Sequence, residues 1–394
     1  MNSKDLYNAI GKVDDDILEQ SETIKRKRQR LKWGTLAATA ACLCLIAGGG
    51  LYWRNSARTG PRDLPMLQIP DSAGEGMGYE AFLLYDSEEL ENGNPWREDM
   101  AFSTLPVFTN HAYHPAGEPV GLTEEAILER LQAACEALGL ASTELEYERS
   151  GENVLAIAVQ ADGTTVRATA NGEIHVEFED GFLLPEDLHF TWDETSRPEA
   201  EDAMTFFARH FEELLDFEKP RSALTTDYSV WTEYDQAGNS VLKTARNWHY
   251  KLYDDAGDET RRLLNYNLRY ATFYADVTGR GLSGIVISDG LSCAEKLGDY
   301  PVITLTEARE ALLAGNYITS VPYEIPDETW IRKEELVYRS GPLQQTLMPY
   351  YRFYVESPEP KRHEEDPAEY GAYYVPAVSP EYLSDLPLWD GSIN

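Results

Sequence analysis

Glu144–Glu179 reads ELEYERSGENVLAIAVQADGTTVRATANGEIHVEFE. Apolar and polar residues alternate through four runs, ELEYE, VLAIAVQA, TTVRATA and EIHVEFE. A period of two sends successive side chains to opposite faces, the pattern of strands buried on one side. Asp162-Gly163 in ADGTT and Asn171-Gly172 in ANGE supply residues that tolerate positive φ, so both mark hairpin turns. The stretch predicts an antiparallel meander.

Working outward, Glu124–Leu138 carries Ile127, Leu128, Leu131, Cys135 and Leu138 at helical spacing. Thr123 is placed to cap it, and Glu124 and Glu125 suit its N-terminus. Pro198–Phe217 predicts a second helix, with Ala203, Phe206, Phe207, His210, Phe211 and Leu214 on its inner face. Strands are expected around YSVWTEY, NWHYKLY, NLRYATFYADV and GIVISD, with turns at DQAG, DDAG and TGRG. A third helix is expected over Leu305–Leu313, opened by Thr306. It leads to ELVYRS, PYYRFYVES and GAYYVPAV, where alternation puts half of Tyr338, Tyr350, Tyr351, Tyr354, Tyr370, Tyr373 and Tyr374 outward. Such an outward set would suit a peptide or glycan; cross-strand packing would explain the same residues. Helices interspersed with meanders give an α+β fold of antiparallel sheets with packed helices.

One segment is of another kind. Gly34–Trp53, GTLAATAACLCLIAGGGLYW, is uncharged and follows Lys25, Arg26, Lys27, Arg28, Arg30 and Lys32. Twenty residues at about 1.5 Å each reach roughly 30 Å, the thickness of a bilayer core. The reading is a single transmembrane helix held by Leu36, Leu43, Leu45, Ile46 and Leu51, with Tyr52 and Trp53 at the outer interface. The basic cluster puts the N-terminus in the cytoplasm. A cleaved signal peptide would need a 33-residue n-region, which is too long, and a lipoprotein cysteine at Cys42 leaves too short an apolar run. The expected organisation is a cytoplasmic tail over 1–33, the span over 34–53, and a linker over 54–75. Two extracytoplasmic α+β domains follow, over 76–195 and 196–394.

The tail repeats Leu6, Ile10, Val13 and Ile17 as one apolar helical stripe with no domain beside it to enter. It predicts a partner-binding helix, the output end of the molecule; a frayed juxtamembrane segment is the plainer alternative. Beyond residue 53 the chain holds 26 basic and 62 acidic residues, a formal charge of −36. That surface repels phosphate backbones and makes nucleic acid a poor partner. It is a solvated surface first, and a site for a cationic peptide or Ca²⁺ second.

Motifs of chemistry are sparse. Gly279–Gly284 matches GxGxxG, but IVIS follows where the fingerprint needs a helix, so it reads as a hairpin loop. His111 and His114 precede Pro115 and read as surface-loop residues. His210 reads as a core or groove residue, and His175, His189 and His249 as structural residues of aromatic-rich strands. Asp254, Asp255, Asp258 and Glu259 in LYDDAGDET lack EF-hand spacing and read as a turn. Cys135 reads as a small core residue, Cys293 stands alone, and a disulfide between them is left open. No catalytic, cofactor or metal residue is assigned.

Two stretches carry a resemblance. GMGYEAFLLYDSEELENGNPW with STLPVFTN resembles a segment of uncharacterised single-pass clostridial proteins, which share a tail like LYNAIGKVDDDILEQ. VITLTEAREALLAGNYITSV with ELVYRS, PYYRFYVE and YYVPAV resembles the C-terminal pattern of YycI-type and PepSY-like extracytoplasmic modules. That resemblance implies a membrane-anchored accessory regulator, with a histidine kinase as partner. The long acidic-then-basic tail departs from it and looks more like regulators that hold a sigma factor, although their zinc-binding His/Cys pattern is missing. The expected function is an extracytoplasmic sensor acting by protein contacts. An extracytoplasmic hydrolase or a wall-associated structural protein is the alternative.

Overall fold

The computed structural model describes residues 64–69, 90, 92–141, 144–234, 240–276, 281–319, 321, 323–341, 343–357 and 368–387. It adds the backbone of 27–29 and 82–85. The strands are β1 (Lys27–Gln29), β2 (Phe82–Tyr85), β3 (Thr104–Asn110), β4 (Leu145–Ser150), β5 (Asn153–Ala161) and β6 (Thr164–Thr169). Then come β7 (Ile174–Phe182), β8 (Pro220–Tyr234), β9 (Ser240–Asp254), β10 (Arg269–Ala275), β11 (Leu282–Asp289) and β12 (Ala294–Pro301). The last are β13 (Ile318–Thr319), β14 (Ile331–Tyr338), β15 (Thr346–Leu347), β16 (Pro349–Glu356) and β17 (Ala368–Pro376). The helices are α1 (Glu124–Ala137), α2 (Arg197–His210), α3 (Glu212–Leu215), α4 (Glu259–Leu268) and α5 (Leu305–Leu313). The fold is α+β with antiparallel sheets, as the period-two runs predict.

A nine-stranded sheet in the order β1-β4-β5-β6-β7-β11-β10-β9-β8 forms the first half. The expected domain boundary at 195/196 falls inside it, since strands from both sides of that position share its hydrogen bonds. The ADGTT turn has Asp162 at φ 49° and Gly163 at φ 74°, the positive pair that a two-residue hairpin requires. Leu155, Ile157, Val159, Val166, Ala168, Ile174 and Val176 are buried, while Gln160, Arg167, His175 and Glu177 point the other way. The apolar face packs on α1 through Ile127 and Leu131, and on α2 through Ala203, Met204 and Phe207. Phe207 stacks on Phe273, ring centroids 5.0 Å apart. Thr123 caps α1 by accepting from Ala126 N at 3.3 Å. The helix expected over 198–217 breaks at Phe211, whose φ of −105° and ψ of 25° separate α2 from α3.

The second half holds a sheet in which β13-β17-β16-β14 run in order with β2 beside β17, and a small sheet β12-β3-β15. The tyrosine strands correct the expectation of an outward face. Tyr338, Tyr350, Tyr351, Tyr354, Tyr370, Tyr373 and Tyr374 are all buried. One side of the sheet packs with α4 and α5 through Leu264, Ala308 and Leu312. The other is covered by Leu67, Tyr300, Val378 and Leu383. Helix α5 is capped by Thr304, not Thr306: Glu307 N donates to Thr304 Oγ1 at 3.3 Å, and Thr304 N donates back to the Glu307 carboxylate at 2.7 Å. DDAGDET is more than a turn, because Asp258 caps α4 by accepting from Arg261 N at 2.8 Å.

Leu64–Ile69, inside the stretch read as linker, is docked. Leu67 is buried and its N–H donates to Tyr382 O at 2.8 Å. No helix among the described residues is long and apolar enough to cross a membrane. The expected span with Leu36, Leu43, Leu45, Ile46, Leu51, Tyr52 and Trp53, and the tail stripe Leu6, Ile10, Val13 and Ile17, lie outside the described residues.

Candidate functional site

Among the described residues, those with catalytic or ligating chemistry do not converge. No group of three or more His, Cys, Asp or Glu is placed to hold a metal among the described residues. His111 is exposed in a turn, 3.3 Å from Glu295. His189 lies in the loop before α2, not in a strand. His210 sits at the exposed end of α2, stacked on Phe206 and beside Phe182 with ring centroids 5.3 Å and 4.8 Å away. His249 pairs with Asp227 at 2.9 Å. The GxGxxG match runs into strand β11, which begins at Leu282, and not into a helix. Cys135 and Cys293 are both free thiols, and burial pushes each pKa up.

Among the described residues, the carboxyl moved furthest is Glu335 on β14, which is 1% exposed. Burial alone would raise its pKa, but Arg352, Lys333 and a hydrogen bond from Asn92 outweigh it and hold it at about 2. Asn92 Nδ2 donates to both carboxylate oxygens, at 3.1 and 2.9 Å, and Asn94 Nδ2 adds a third contact at 3.2 Å. Arg352 pairs with the same group. Asn92 and Asn94 also accept from the backbone N–H two residues on, at 3.1 and 2.9 Å, so NGNPW is two consecutive Asx turns. With its oxygens so fully engaged, this carboxylate is a lock between residues 92–96 and the second half, not a catalytic group.

The open face of the large sheet offers a better site. Helices α1 and α2 cover one side, and on the other a trough of about 430 Å³ lies across β4–β7. Register explains its shape. Glu146 and Glu148 on β4 stand opposite Ala158 and Ala156 on β5. Those two stand opposite Arg167 and Thr169 on β6, and Arg167 and Thr165 stand opposite His175 and Glu177 on β7. The two alanines are the floor, and long polar side chains are the walls. Arg167 Nη2 donates to Glu148 Oε2 across the floor at 2.7 Å. His175 Nε2 lies 3.1 Å from Glu173 Oε2. That contact holds the Glu173 pKa below its ordinary value against burial. Farther on, Glu177 faces Gly284, which faces Tyr274, 50% exposed. A Cβ at Gly284 would sit 2.8 Å from Val176 O, so a side chain there would crowd β7.

Glu146, Glu148 and Glu177 against Arg167 leave the lining two negative charges in excess. Its chemistry is that of a shallow acceptor of cations and hydrogen-bond donors. Sequence reasoning read these strands but not the trough. The signal was present as alternate small residues, Ala156 and Ala158, between charged neighbours on both flanking strands.

No family model matches the chain, and no curated protein matches it. A solved structure, described as an uncharacterized protein from Eubacterium rectale ATCC 33656 at 1.45 Å resolution, aligns over 71% of this chain and 84% of its own, with 12% identity. The TM-score is 0.31, and at that value the likeness bears on neither fold nor function. The YycI-type and PepSY-like resemblance therefore rests on the quoted sequence patterns alone.

Proposed function

We propose that this chain is a membrane-anchored extracytoplasmic regulator that works by protein contacts, using the open face of the large sheet as its receptor surface. The observation that carries this reading is the one-sided packing of that sheet. Its other face is left with a trough of about 430 Å³, within the size range of ligand sites. Gly34–Trp53 supplies the anchor and the basic cluster before it the orientation. The C-terminal pattern suggests a histidine kinase as partner, and the tail suggests a sigma factor. The backbone pairing of β1 with β4 pulls the other way, since an inside location of Lys27–Gln29 and a place on this sheet exclude each other.

The test is photocrosslinking in living cells with benzoylphenylalanine at Gln160, on the trough rim, and at Gln132, on the exposed side of α1. A discrete crosslinked species from Gln160 alone is the expected result. Identical patterns from both positions would remove the trough as a receptor surface.

A further inference from the structure

The trough lies beside the outermost part of its sheet, and the two features together define a ligand. We propose that the β4 edge and the trough bind an extended, Lys- or Arg-bearing peptide segment, which adds to β4 as a strand and sets its cations among Glu146, Glu148 and Glu177. This rests on the receptor reading above and gives it a ligand class.

Three observations carry it. The first is charge. Glu146 and Glu148 alternate along β4 on the trough side, and Glu177 faces them across the floor. Arg167 is engaged by Glu148, and the formal charge of the lining residues stays negative, which suits an entering cation. The second is shape. Small residues at Ala156 and Ala158 leave room for a side chain arriving from the β4 side and lying flat over β5. The third is the edge. Backbone of the basic tripeptide Lys27–Gln29 lies antiparallel on β4, pairing Lys27 with Tyr147, Arg28 with Glu146 and Gln29 with Leu145. An extended basic backbone is thus compatible with this edge in register. In a chain anchored by Gly34–Trp53 that tripeptide stays on the opposite side of the membrane, and the edge is left for a basic segment of another protein. Strand addition takes affinity from main-chain hydrogen bonds and specificity from alternate side chains, the arrangement offered here.

The probe is a synthetic peptide KRKRQRLK, the sequence of residues 25–32. It is titrated onto the detergent-solubilised full chain in which Lys25, Arg26, Lys27, Arg28, Arg30 and Lys32 are all changed to Gln, so that no internal copy competes. Binding that weakens with salt is expected. It should fall about tenfold in Glu146→Gln/Glu148→Gln/Glu177→Gln, as the loss of several exposed ion pairs predicts. It should also fall in Ala158→Trp, which fills the trough and keeps its charges, and for a peptide with proline at its two central positions, which cannot pair as a strand. Thermal melts of each variant establish that it is folded. Unchanged binding in the triple variant or in Ala158→Trp, full binding of the proline peptide, or no binding to the neutralised chain would each overturn the proposal. A crosslink from Gln160 together with no peptide binding would overturn this ligand class and leave the receptor surface standing.

Discussion

At the scale of single residues, Glu335 sets the clearest expectation. Its pKa falls from 4.5 to about 2 because Arg352 and Lys333 outweigh its burial. A carboxyl lowered on folding stabilises the fold above its unfolded value, and that stability is lost as pH falls through the folded value. The window is therefore from pH 4.5 down to about 2, and the loss is on the order of 3 kcal/mol. Urea unfolding across that window should show the decline in the wild type and a flatter profile in Glu335→Gln. At neutral pH the variant should be less stable by about 3 kcal/mol, since Arg352 and Lys333 lose their counter-charge in a buried setting. Equal midpoints for the two proteins at pH 7 would mean that the lock contributes nothing. None of this was legible in NGNPW. The Asn and Pro residues announced turn chemistry, correctly, but the carboxylate that receives Asn92 and Asn94 lies more than two hundred residues away.

At the scale of elements, what was legible depended on whether the partner was local. Strands β4 to β7 were readable because Leu155, Ile157 and Val159 alternate with Ala156, Ala158 and Gln160, and because short turns join neighbours in the sheet. Helix α4 was missed. NLRYATFYADV reads as a strand throughout, yet its first two residues, Asn267 and Leu268, close the helix, and Tyr266 just before them packs against Tyr253 with ring centroids 5.3 Å apart. The overlooked signal was Asp258 ahead of Leu263, Leu264 and Leu268, a cap before an apolar stripe. This helix contributes Leu263, Leu264 and Leu268 to the core of the second half, and is followed directly by β10 of the large sheet. Removing its cap by Asp258→Ala should cost about 1 kcal/mol. Because α4 touches both halves, one cooperative melt should shift as a whole; a separate early transition in the calorimeter would show that the halves unfold independently. The tyrosine strands failed for the same reason as NGNPW. Alternation says which side chains share a face, but not that Leu67 or Val378 returns to cover it.

At the scale of the molecule, the sequence made the α+β class and the antiparallel sheets readable, and left the anchored topology as a proposal. Protease treatment of intact cells should digest the chain beyond Arg54 and spare the tail before Gly34. Recovery of the intact chain in the soluble fraction after the same treatment would end the anchored reading. The docking of Leu67 then has a mechanical meaning. Leu67 bridges Leu383 in parallel, donates to Tyr382 O and accepts from Ser384 N at 2.8 Å. In a chain anchored as proposed, tension from the anchor would meet this clasp first among the described segments beyond residue 53. The two segments run the same way and hold Leu64–Ile69 to the segment at Tyr382–Ser384. The clasp would then act as a mechanical stop, and a tug on the anchor would be shared there with the segment at Tyr382–Ser384.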